Sequence, residues 1–196
     1  IIFSGNTFDR FAIEKIINMT DAMVVLDEAY YAYAGDSFIS DIAKYPNLVV
    51  LRTVSKIGFA GLRLGLLIGS QETVSELDKL RLPYNINILT QVSANFLLKE
   101  KDEINKNAAI IIEQRQILSD ELKQIEGLLA YPSQANFILF KAPKAQALFD
   151  YLKANGILIK NLSGAPKLTN CLRVTVGDND QNKQFINIVK KFYSLK

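Results

Sequence analysis

A chain of 196 residues, with 49% hydrophobic and 22% charged side chains, can build one large domain or two small ones, and its composition is globular rather than disordered. The formal net charge of +3 is spread over interspersed lysines and acids, so no basic stripe points to nucleic acid. The absence of histidine excludes histidine-based triads and the usual zinc ligand, and the lone Cys171 excludes an intrachain disulfide. Any proton transfer therefore falls to Lys, Tyr, Asp or Glu, and no metal site is expected. A single cysteine suits a reducing compartment, and no apolar run reaches the roughly 18 residues of a membrane helix.

Ile1-Ile2-Phe3 reads as a strand already under way and lacks the basic flank of a signal peptide, so further sequence is expected upstream. Residues 9–19 have helical spacing, with Phe11, Ile13, Ile16 and Ile17 apolar. Three short apolar runs follow: 23–26, ending at Asp27-Glu28; 48–51, ending at Arg52-Thr53; and 64–68, ending at Gly69-Ser70. Runs apolar at every position fit strands covered on both faces, as in a sheet flanked by helices. Ligands of such sheets bind beyond the carboxyl ends of the strands, so the polar residues after these runs point at one site.

Residues 72–80 and 90–99 read as helices, and 102–125 as a long helix suited to bridging two lobes. Beyond it the pattern predicts a strand over 136–140, a helix over 144–155 closed by Gly156, strands over 157–159 and 171–176, and a last helix over 182–192. That order suits a small α+β domain. The expected class is α/β: a partial, mostly parallel large-domain sheet flanked by helices over 1–103, then a bridging helix and a small α+β domain over 104–196.

The segment Ser55-Lys56-Ile57-Gly58-Phe59-Ala60-Gly61-Leu62-Arg63-Leu64-Gly65 is the richest in chemistry. Glycines let backbone approach a ligand closely, and Ser55 and Arg63 can both donate to a phosphate. A lysine at the end of a buried strand can shed water, which favours its neutral, nucleophilic form. The bland alternative is a solvated basic loop. Asp27, in Asp27-Glu28-Ala29-Tyr30, sits at a strand tip, where an acid seeks a positive partner such as a protonated pyridine nitrogen. It can equally cap the next segment, with Tyr30, Tyr31 and Tyr33 as packing residues and Glu28 as a solvated or structural acid. Arg173, inside the apolar strand Cys171-Leu172-Arg173-Val174-Thr175-Val176, needs an anion, either a substrate carboxylate or an internal Asp or Glu.

These motifs resemble the lysine signature of class I/II aminotransferases, the fold-type-I enzymes that use pyridoxal 5'-phosphate (PLP). Arg52-Thr53-Val54-Ser55-Lys56 with Ala60-Gly61-Leu62-Arg63-Leu64-Gly65 is most similar to the histidinol-phosphate aminotransferase branch. The resemblance implies that Lys56 is the Schiff-base lysine and proton carrier and that Ser55 and Arg63 hold the cofactor phosphate. It also implies that Asp27 pairs with the ring nitrogen, that Tyr30 bonds the ring hydroxyl oxygen, and that Arg173 grips a substrate carboxylate. Three further stretches resemble that branch. They are Arg81-Leu82-Pro83-Tyr84-Asn85; Ser133-Gln134-Ala135-Asn136-Phe137, whose Asn136 would lie near the substrate side of the ring; and Gly156-Ile157-Leu158-Ile159-Lys160. At Lys160 the branch often has arginine, so a point-charge contact to substrate phosphate is implied rather than a bidentate one. An exposed strand-end lysine and a structural asparagine are the alternatives.

By the same resemblance, the substrates are L-histidinol phosphate and 2-oxoglutarate, in a cytoplasmic homodimer of histidine biosynthesis that engages neither nucleic acid nor membrane. A threonine-phosphate decarboxylase, an aromatic aminotransferase, a non-catalytic PLP-binding regulatory domain and a fragment retaining only structural residues are the competing expectations. The family's Asn-Pro motif is not present in full. Ser4-Gly5 resembles its last two residues, and we expect residues to be absent at the Phe3–Ser4 junction.

Overall fold

The computed structural model describes residues 4–194, so the strand expected at 1–3 and the Phe3–Ser4 junction lie outside the described residues. The chain forms two compact units. One is Thr7–Ala108, and the other joins residues 4–6 to the chain from Ala109 onward.

In the first unit, helix α1 (Arg10–Asn18) starts where the Asp9 side chain accepts the Ala12 N–H at 2.8 Å, which satisfies one of the free N–H groups of the first turn. Strands β1 (Val24–Asp27), β2 (Leu48–Thr53) and β3 (Gly65–Ile68) form a sheet in that order. β1 runs parallel to β2, and β3 antiparallel to it, so of the expected parallel pairings the described sheet holds one. Helix α2 (Tyr31–Ala34), too short to show a period, ends at Gly35 with φ 78°. α3 (Gln71–Asp78) and α4 (Ile88–Leu97) are capped by Ser70 and Asn87, which accept the Thr73 and Thr90 N–H groups at 3.2 and 2.9 Å.

Covering of both faces holds for β2 alone. Leu48, Val49 and Val50 are buried, and Leu48 and Val50 pack with Ile17, Phe38 and Tyr45. Val25 on β1 is 51% exposed, and Leu66 and Leu67 on β3 are 41% exposed. The reason is position: β2 is central and the other two are edges of the described sheet. Other large apolar side chains of this unit also face solvent, including Leu80, Leu82, Ile88 and Leu89.

The long helix α5 (Lys101–Lys123) carries the division between the units. In the second unit, β4 (Leu129–Ala130), β5 (Phe137–Lys141), β7 (Cys171–Thr175) and β6 (Lys160–Asn161) form an antiparallel sheet in that order. Its core gathers Leu118 and Leu122 of α5, Leu148 and Leu152 of α6 (Ala145–Ala154), Ile138, Phe140 and Leu172 of the sheet, and Phe185 and Val189 of α7 (Asn179–Ser194). The strand expected at 157–159 lies three residues later. Ile157 donates its N–H to Leu152 O at 2.9 Å and closes α6, with Gly156 at φ 81°, so this apolar run terminates a helix before pairing begins.

Candidate active site

Parallel pairing decides where the first set of residues meets. Asp27 is the last residue of β1 and lies opposite Leu51 on β2, while the Glu28 N–H continues the ladder to Leu51 O at 2.8 Å. The chain leaves β2 at Thr53, turns through short 3-10 segments at Ser55–Ile57 and Ala60–Leu62, and re-enters the sheet at Gly65, opposite Thr53. Asp27, Tyr30, Ser55, Lys56 and Arg63 therefore all lie at one end of the sheet. That end is the carboxyl end of both parallel strands, where open α/β sheets receive ligands.

The loop is pinned at its root. Thr53 Oγ1 donates to Leu64 O at 3.1 Å and accepts the Ser55 N–H at 3.0 Å, and from α4 Thr90 Oγ1 donates to Leu62 O at 3.2 Å. Gly58 takes φ 106°, a conformation that L side chains rarely adopt. Arg63 also lies in the left-handed region, at φ 50° and ψ 36°. A non-glycine residue held there stores strain, and such residues cluster at ligand sites.

At this end Asp27 is exposed and its Oδ1 accepts the Ala29 N–H at 2.9 Å. Lys56 is exposed, with its Nζ 5.5 Å from the centroid of the Tyr30 ring. Neither Lys56 nor Arg63 forms an ion pair among the described residues. Residues bearing a carboxylate, an amine and a guanidinium thus lie at one end of the sheet, with no ion pair between them among the described residues. This donor and acceptor set suits a ligand with a basic ring nitrogen, an aldehyde and a phosphate.

Behind this edge lies a network that the sequence did not single out. The Arg52 Nε and Nη2 groups donate to Glu28 Oε2 at 3.2 and 3.0 Å, and Nη2 donates to Ser37 Oγ at 2.7 Å. Ser37 Oγ donates to Glu28 Oε2 at 2.8 Å, and the Phe38 N–H fills Glu28 Oε1 at 2.7 Å. The Arg52 guanidinium also lies 3.7 Å from the Tyr31 ring centroid. The buried Tyr33 donates its hydroxyl to Lys56 O at 2.8 Å. Burial, with Tyr30 adding to it, pushes the Tyr33 pKa up, so the hydroxyl keeps its proton for that bond. The one available signal was Arg52, a charge inside an apolar strand and therefore in need of a partner. Partnership across 24 positions is invisible without the fold.

The other residues singled out in the sequence, Arg173, Lys160 and Asn136, lie in the second unit. Arg173 of β7 is directly opposite Lys160 of β6 on one side and Leu139 of β5 on the other. Its guanidinium lies 4.6 Å from the Phe137 ring centroid, and it pairs with no carboxylate among the described residues. Two cations placed opposite each other on neighbouring strands repel unless an anion joins them. Asn136 immediately precedes β5, and its carbonyl accepts the Val176 N–H at 2.9 Å. In the first unit, the Arg81–Asn85 stretch is an exposed turn in which Arg81 pairs with Asp78 at 2.6 Å and Tyr84 has φ 58°.

Comparison with known proteins agrees with this architecture. Residues 4–189 match the model of the family "Aminotransferase class I and II". The chain is 70% identical over 192 residues to a histidinol-phosphate aminotransferase of Vesicomyosocius okutanii, covering 98% of this chain and 54% of that protein. It is 47% identical to histidinol-phosphate aminotransferase 2 of Nitrosococcus oceani, covering 95% of this chain and 53% of that protein. The chain therefore spans about half the length of the curated relatives it matches. The histidinol-phosphate aminotransferase structure from Sinorhizobium meliloti, in complex with pyridoxal-5'-phosphate, superposes with a TM-score of 0.84 at 25% identity, over 98% of this chain and 55% of that one. The L-threonine-O-3-phosphate decarboxylase of Porphyromonas gingivalis superposes with a TM-score of 0.85 at 24% identity, over 97% of this chain and 61% of that one, a likeness of fold alone. By family match and by relatives, this chain belongs to the class I and II aminotransferases.

Proposed function

We propose that this chain serves a PLP-dependent aminotransferase that interconverts L-histidinol phosphate and 2-oxoglutarate with imidazole-acetol phosphate and L-glutamate. The observation that carries the reading is the gathering of Asp27, Lys56 and Arg63 at one sheet end in a chain 70% identical to a protein named for that activity.

When bound, PLP supplies an electron-poor ring that stabilises negative charge on the substrate carbon. The chain's own residues do the rest. Asp27 accepts a hydrogen bond from the ring nitrogen and keeps it protonated. Tyr30 holds the ring hydroxyl oxygen, and Ser55 and Arg63 bind the phosphate, Arg63 through its planar fork. The Lys56 amine would hold the cofactor through its aldehyde carbon and, as the basic group beside the ring, would carry the proton taken from the substrate carbon. Arg173 takes the carboxylate of glutamate or 2-oxoglutarate, and Lys160 adds a point charge toward the substrate phosphate. Their direct opposition across β6 and β7 suits a site that must accept two different anions in turn. Asn136 lies on the substrate side of the ring in this reading.

The same reading assigns residues 1–103 to the cofactor-binding domain and 104–196 to the bridging helix and small domain. It makes the protein a cytoplasmic homodimer. The exposed Leu80, Leu82, Ile88 and Leu89 support an apolar surface that a partner covers, and the lone cysteine suits a reducing compartment.

Replacing Lys56 with alanine tests the proposal. The visible absorbance of covalently held PLP is expected to vanish, and transamination of histidinol phosphate to collapse by several orders of magnitude. A Lys56→Ala protein that keeps either property overturns the assignment.

A further inference from the structure

Glu28, Arg52 and Tyr33 touch none of the reacting groups assigned above, yet each is tied to a segment that carries one. Glu28 directly follows Asp27, and Arg52, on β2, precedes Lys56 by four residues. Lys56 itself lies beyond the sheet ladder, in a 3-10 turn, so strand pairing does not hold its backbone. Three side-chain links span this gap: Arg52 to Glu28, Arg52 onto the Tyr31 ring, and the Tyr33 hydroxyl to the Lys56 carbonyl.

We infer that Glu28, Arg52 and Tyr33 are positioning residues that hold the root of the Lys56 side chain in register with Asp27. The inference rests on the cofactor reading above.

An exposed ion pair contributes little, but this one is largely shielded, with side-chain exposures of 17% for Arg52 and 11% for Glu28. Both Glu28 oxygens are occupied, by the Phe38 N–H on one side and by Arg52 and Ser37 on the other. A carboxylate saturated in this way has one low-energy orientation, and it transmits that orientation to the Asp27–Tyr31 segment. Tyr33 closes the frame. Its hydroxyl fixes the plane of the peptide that follows the Lys56 Cα, from which the amine-bearing chain departs. A reacting amine gains rate and affinity from being held in place before its partner arrives.

The experiment uses the complete protein and three variants: Glu28→Gln, which keeps the shape and removes the charge; Arg52→Lys, which keeps the charge and removes the fork; and Tyr33→Phe, which removes one hydroxyl. PLP is titrated into the cofactor-free proteins by visible absorbance, the pH midpoint of the absorbance band is recorded, and thermal unfolding is followed without cofactor. Each variant is expected to weaken PLP binding by roughly tenfold or more and to move the band's pH midpoint. A purely structural role lowers the unfolding midpoint and leaves the PLP affinity and pH midpoint of the folded protein unchanged; that result overturns the inference. If Glu28→Gln fails to fold, Tyr33→Phe, the mildest change, decides the outcome on the same two readouts. Lys56→Ala separates the two levels of argument. A wild-type protein without a Lys56-dependent band sinks the cofactor reading, whereas a wild-type band that all three variants reproduce with the same PLP affinity and pH midpoint sinks positioning alone.

Discussion

Replacing Arg63 with glycine separates a ligand-binding arginine from a structural one, because the two roles demand opposite results. Arg63 sits at φ 50° and ψ 36°, its guanidinium makes no ion pair among the described residues, and its N–H donates to Ala60 O at 3.3 Å, a bond glycine retains. The left-handed conformation costs an L-residue about 1–2 kcal/mol, which glycine relieves. Against this, glycine makes the unfolded chain looser, at a cost of about 0.4–1 kcal/mol. The cofactor-free protein should therefore be as stable as wild type or up to about 1.6 kcal/mol more stable. The bound state behaves otherwise. Loss of a charge-assisted hydrogen bond to phosphate costs about 1.5–3 kcal/mol, which is roughly a ten- to hundredfold rise in the Kd for PLP. Denaturant unfolding of the cofactor-free protein and a PLP titration measure the two sides. A variant destabilised by more than about 1 kcal/mol with an unchanged Kd would refute the reasoning, since the strained backbone would then serve the fold and not the ligand.

Two further outcomes follow from the second unit. At Gly5, with φ 81°, an added Cβ would lie 2.7 Å from Ser133 Oγ, so Gly5→Ala is expected to cost about 1–2 kcal/mol in unfolding experiments, and a neutral result would contradict the described docking of residues 4–6. Burial pushes the Tyr193 hydroxyl up to about 12, above its ordinary value of 10.0. The folded state then keeps a proton that the unfolded state releases, so stability present below pH 10 is lost as pH rises toward about 12. Tyr193→Phe should flatten that alkaline loss, while forfeiting the hydrogen bond to Pro143 O, worth about 1 kcal/mol, at neutral pH. An unchanged alkaline profile in the variant would assign the loss to other groups.

Much of the local structure was legible because it is local. The helix over 9–19 and the apolar runs at 23–26, 48–51 and 64–68 fall on α1, β1, β2 and β3 to within two residues, since side-chain period and capping residues act over short stretches. The same patterns placed Asp27 at a strand tip and Lys56 on the loop after β2. Where a short run had two uses, pattern failed. Ile157–Ile159 reads as a strand yet closes α6, and the two-residue β4 and four-residue α2 are too short to carry a period.

By itself, the sequence determined most of the longer elements, the family resemblance and which groups to propose as holding a phosphate-bearing aldehyde. The tertiary structure alone decided that β3 turns back antiparallel, which brings Arg63 to the same end as Asp27 and Lys56. It alone decided that Arg52 finds Glu28, that Tyr33 reaches the Lys56 carbonyl, and that Arg173 faces Lys160. The physical reason is range. Backbone propensity and side-chain period act over a few residues, whereas strand order, register and buried charge pairing are settled only when distant segments compete for the same space and the same partners.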